Sequence, residues 1–152
     1  MTSVLANIPP RQIATLATSM ISTLTSDDFV GLSATQVRSL TSTQIRALDD
    51  AVISSLSTQV ISQLAPKALN GLSLDQLEAI GTNQISGLGT QQISALYASQ
   101  LEGFSESQIE ALNANQVSAL SSSQVATLSA DELNSFTRTE IASIKKTSIS
   151  GI

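Results

Sequence analysis

The chain is predicted to be an all-α solenoid, a superhelix of 19 octapeptide repeats in which each repeat forms one short capped helix. Three observations predict it: an unbroken eight-residue apolar period, a helix-start signature inside each period, and almost no residues left over for loops. From Ile8 to Ile152 every eighth residue is Leu, Ile or Phe, so the 152 residues divide into 19 octads and residues 1–152 form a single repeat array. A fixed short period of this kind constrains architecture more tightly than any other sequence feature.

Each octad is numbered so that the aliphatic residue is position 8, and octad n ends at residue 8n. Position 5 is then apolar in all 19 octads, from Leu5 and Ile13 to Ile141 and Ile149. Position 4 is Gln in 10 octads and Asp or Glu in three more; position 1 is Ser, Thr, Asn or Asp in 11; position 7 is Ala, Gly, Ser or Thr in 17. In Thr41–Leu48, Thr41 and Gln44 spell a capping box, with the hydroxyl accepting from the N3 amide and the Gln oxygen accepting from the cap's own amide. Leu40 precedes the cap and Ile45 is N4, so this pair spells a hydrophobic staple. Pro66 falls at the first helical position, where its missing N–H is tolerated. Five of the seven Gly fall at position 7, in the last turn, where helices loosen or end.

Such helices have roughly two turns at most and are unstable alone in water. Their stability must come from packing the position-5 and position-8 side chains against other octads. A reversal of direction takes about two to five loop residues. With a single residue free here, successive helices are expected to turn by an intermediate angle and to generate a superhelix. Small residues at position 7 are expected to permit close approach. A single continuous helix fits poorly, because the apolar stripe would drift by about 80° per octad. A β-solenoid is the alternative, kept open by the β-branched content, although positions 5 and 8 would then point to opposite faces of a strand.

The octads over residues 49–72 are atypical. They keep both apolar positions but lose the Gln: position 4 becomes Val52, Val60 and Ala68, and Gln59 sits one place early. Met20 makes the same change. These residues are expected either to widen the core or to form an exposed contact strip. Candidate self-association residues are therefore Met20, Val52 and Val60, with Leu5, Ile8, Ile149 and Ile152 at the ends, where no polar capping repeat stands. A heterologous end-to-end contact would build a filament.

Composition removes most chemistries. With no Cys and no His, thiol catalysis, disulfides, zinc sites and His-based acid–base catalysis are excluded. The net charge is −5 with scattered Lys and Arg, so the basic stripe of a nucleic-acid binder is missing. No apolar run is long enough to span a membrane, and the first residues lack the features of a signal peptide. Asp27-Asp28 and Asp49-Asp50 sit at or near octad starts, where acids suit a helix N-terminus. Glu102, Glu106 and Glu110 are expected on a solvated face. No metal or cofactor is expected. The Gln column is read first as capping chemistry and second as a repetitive surface for a protein or glycan; Tyr97 is the one aromatic candidate for such a surface.

Two resemblances follow from these motifs. Leu32–Leu40 is similar to the first helix of a transcription-activator-like effector repeat, but the second helix and base-reading loop of that family are missing, which makes the likeness convergence on a capped helix. The wider run, Leu32–Leu48 and again Gly81–Leu128, resembles the LTxxQIxAL arrays of large bacterial secreted or surface proteins of adhesin-like type. That resemblance implies a bacterial, extracellular, structural role and carries over no functional residue. The expected function is a non-enzymatic fibre, stalk or filament subunit whose main partner is itself; a solenoid that binds a protein or glycan along its polar face is the alternative.

Overall fold

The computed structural model describes residues 5–149, and every octad from the second to the nineteenth contributes one helix. The helices are four to six residues long, from Pro10–Ile13 to Lys146–Ile149. No strand occurs among the described residues, which removes the β-solenoid. Seventeen of these elements are α-helical, while the fourth octad forms a 3₁₀ turn, Ser26–Phe29. The predicted caps form: Ser33, Thr41 and Ser105 accept from the amides of Gln36, Gln44 and Gln108 at 3.3 Å. Asp49 accepts from the Ala51 amide at 2.8 Å, and Asp28 accepts from the Thr25 amide at 2.9 Å. Pro66 opens its helix, Pro66–Leu69, as its position foretold.

The joint between helices is wider than the single residue expected. In several octads position 8 itself turns extended, as at Leu56 (ψ 138°) followed by Ser57 (ψ 151°), and again at Leu96 followed by Tyr97. The position-8 amide still closes the helix behind it, Leu48 donating to Ile45 at 3.1 Å and Leu96 to Ile93 at 3.2 Å. Two extended residues redirect the chain without reversing it, and repetition of that corner coils the helices into a superhelix.

Helices pack three octads apart. Asp50–Ser55 lies against Leu74–Ala79, Pro66–Leu69 against Thr90–Ala95, and Ala114–Ser118 against Arg138–Ser143. One turn of the solenoid therefore spans between three and four octads. Position 7 faces this contact. A Cβ added at Gly71 would strike the backbone of Ser42, 29 residues earlier, so close approach accounts for that glycine. Left-handed helix ends do not: Gly31 (φ 81°) is the one described residue with positive φ.

The core is the two predicted columns. Position 5 is at most 2% exposed from Leu5 to Val125, and position 8 is buried from Leu40 to Leu128. Burial of each such aliphatic side chain contributes roughly 1.5–3 kcal/mol, which offsets the ordering cost that these short helices cannot meet alone. The two ends differ. Ile8, Leu16 and Leu32 on the first turns are half-buried, whereas on the last described turn it is position 5 that opens, at Ile141 and Ile149.

Candidate functional site

The most regular polar feature of the fold is a ladder built from the Gln column. Gln36, Gln44, Gln76, Gln84, Gln92, Gln100, Gln108, Gln116 and Gln124 are all buried. Each side chain bridges two turns. Its oxygen accepts from the amide of position 1 of its own octad, at 2.8 Å from Gly81, Gly89 and Ser121. Its nitrogen donates to two carbonyls of the octad four earlier, at positions 5 and 8. Gln84 reaches Ile53 at 3.0 Å and Leu56 at 2.6 Å; Gln92 reaches Ile61 and Leu64, both at 2.9 Å; Gln124 reaches Ile93 at 2.8 Å and Leu96 at 2.9 Å. The spacing is 31 and 28 residues in every complete rung.

The physical reason is a shortage of backbone donors. Short helices leave most of their terminal carbonyls without an intrahelical partner, and a buried carbonyl needs one. One carboxamide has two N–H groups and an oxygen acceptor, so it satisfies three backbone groups at once. A repetitive recognition surface made of the Gln column is therefore ruled out, because the amides are interior.

Where Gln is replaced, the ladder changes. Ser148 keeps a single bond, donating to Leu120 at 2.8 Å. Glu132 and Glu140 keep the capping half, accepting from the Ser129 and Thr137 amides at 2.7 Å, but a carboxylate has no N–H to donate across the turn. Val52, Val60 and Ala68 interrupt the ladder for three octads. Ala68 is buried, and Val52 and Val60 are half-buried against the core.

Of the residues singled out for self-association, Leu5 is buried, with its carbonyl accepting from Gln36 at 3.2 Å, and Ile8 is half-buried. Met20 and Ile149 are each 47% exposed, while Ile152 lies outside the described residues. Tyr97 is exposed, as are Glu102, Glu106 and Glu110. A groove of about 520 Å³ was not foreseen; Phe29, Val30, Leu32, Ser57 and Val60 line it, and it lies between octads 4 and 8 where the ladder is interrupted.

These features define a class: an all-α repeat protein whose turns are joined by a buried glutamine ladder. Residues 21–58, a minor part of the chain, match the ALTTAQ repeat family. The letters of that name, Ala-Leu-Thr-Thr-Ala-Gln, line up with Ser39-Leu40-Thr41-Ser42-Thr43-Gln44 here, sharing the Leu, the first Thr and the Gln. No curated protein and no solved structure matches the chain.

Proposed function

We propose that the chain is a non-enzymatic structural element, a superhelical rod that extends by adding turns and associates end to end outside a bacterial cell. The observation that carries this reading is the directionality of the ladder. Amides of a later turn donate to carbonyls of an earlier one, so the surface above any turn complements the surface below it. Gln12, at position 4 of the second octad, is exposed and its side chain has no hydrogen-bond partner among the described residues. Ile141 and Ile149 stand exposed on the last described turn, where the position-5 residues of earlier turns are covered. A further turn, from the same chain or from a second copy, fits both surfaces. A heterologous contact of this kind propagates rather than closes. The absence of His and Cys supports the non-enzymatic part, and the resemblance to secreted bacterial arrays supports the setting.

Sedimentation velocity over a range of concentrations, with negative-stain microscopy of the same samples, tests the assembly. The expected result is elongated particles that lengthen with concentration, together with their loss in Gln12→Glu, which sets a carboxylate against the neighbour's carbonyls. Uniform single-chain particles at every concentration would overturn it.

A further inference from the structure

The ladder defines a second site by what is missing from it. In an intact rung a primary carboxamide meets three backbone groups. For Gln84 these are the Gly81 amide at 2.8 Å, the Ile53 carbonyl at 3.0 Å and the Leu56 carbonyl at 2.6 Å. The same register of 31 and 28 residues, applied to octad 8, selects the Ser57 amide and the carbonyls of Phe29 and Leu32. Val60 stands where the Gln would be, and its side chain has no polar atom. The Ser57 amide and the Leu32 carbonyl have no hydrogen-bond partner among the described residues. All four residues line the groove of about 520 Å³.

This gap differs from its neighbours. Neither Val52 nor Ala68 lines the groove, and Ala68 is closed over at 2% exposed. At octad 4 the helix is a 3₁₀ turn, Gly31 is left-handed at φ 81° and Val30 is 71% exposed. Residues of this turn line the groove together with Ser57 and Val60 of octad 8. Gln59, one place out of register, makes no side-chain hydrogen bond among the described residues.

We propose that this groove binds a primary carboxamide, the side chain of a Gln or Asn residue presented by a partner polypeptide. The amide nitrogen donates to the Phe29 and Leu32 carbonyls, and the amide oxygen accepts from the Ser57 N–H. Val30 and Leu32 offer apolar surface to the methylenes of the incoming side chain. The site rejects a carboxylate, which brings acceptors only, and an ammonium, which leaves the Ser57 amide without an acceptor.

Amide-detected NMR titration of the whole chain tests this, with N-acetyl-glutamine N-methylamide as the probe and its glutamate and norleucine counterparts as controls. Saturable shifts centred on Ser57, with millimolar affinity and both controls at least about tenfold weaker, are expected. Val60→Gln supplies the missing amide internally, so it should raise the melting temperature and abolish the shifts. Glutamate binding as well as glutamine, shifts that do not saturate, or unchanged binding in Val60→Gln would each overturn the proposal.

Discussion

Octads 10–16, residues 73–128, and the atypical octads over residues 49–72 use the same apolar pair and build the same short helices, yet differ in what joins each to the turn before it. In the first region every position 4 is a buried Gln that bonds across the turn. In the second it is Val52, Val60 or Ala68, which bring only apolar side chains to the preceding turn, although the carbonyls of Ile53, Leu56, Ile61 and Leu64 still accept from Gln84 and Gln92 of the following one. Ile53 and Ile61 are nonetheless 0% exposed, as are Ile85 and Ile93. The apolar column is therefore filled equally in both regions. The ladder adds polar bonds of fixed register, and its interruption is where a groove opens.

The comparison breaks most severely at the shared columns. Ile53→Ala and Ile85→Ala should each lose about 2–5 kcal/mol, equally in both regions, because each empties a fully buried site. Chemical denaturation of the pair checks this; a much smaller loss in one region would mean that its core is not continuous with the other.

Gln116→Glu separates the regions. It keeps the acceptor for the Asn113 amide but places a carboxylate against the carbonyls of Ile85 and Leu88, now at 2.8 Å from the Gln nitrogen. A loss of about 2–4 kcal/mol at neutral pH is expected. The charged form is the penalised one, so the folded-state pKa of the new Glu is raised. The loss is therefore full above that raised value, shrinks as pH falls from it toward the unfolded value of about 4.3, and is smallest below that. Melting curves at neutral and acid pH give the test.

Gly71→Ala should destabilise by about 1–3 kcal/mol through overpacking against Ser42, with the melting temperature as the readout. The smallest effect expected is Ser105→Ala, about 0.5–2 kcal/mol from loss of one cap bond to Gln108, because the Gln side chain still holds the Ser105 amide at 2.9 Å. That residual half of the capping box is all that Gly81, Gly89 and Tyr97 have, and their helices form.

Much of this was legible in the sequence. The period placed the core, and the Ser/Thr-to-Gln spacing placed the helix starts. The ladder also leaves a signal in the sequence: a capping box accepts Glu as readily as Gln, since both present an oxygen, yet position 4 holds Gln in 10 octads and Asp or Glu in three. Preference for an amide over an acid points to a donor requirement, and hence to a partner with carbonyls. The groove had a fainter trace, Val60 in a Gln column, but nothing local marks the 3₁₀ turn at Ser26–Phe29 that helps to line it.

By itself the sequence determined the helices, their caps and the two buried columns, because these depend on residues within one or two octads of each other. Only the tertiary structure decided how many octads make a turn. That number depends on the corner angle set by the extended residues at the joints and on the small side chains at position 7, such as Gly71 against Ser42. It then fixed which carbonyls, 28 and 31 residues back, each buried amide would meet. A hydrogen bond spanning that distance along the chain leaves no local pattern, since its partners are backbone groups that every residue carries.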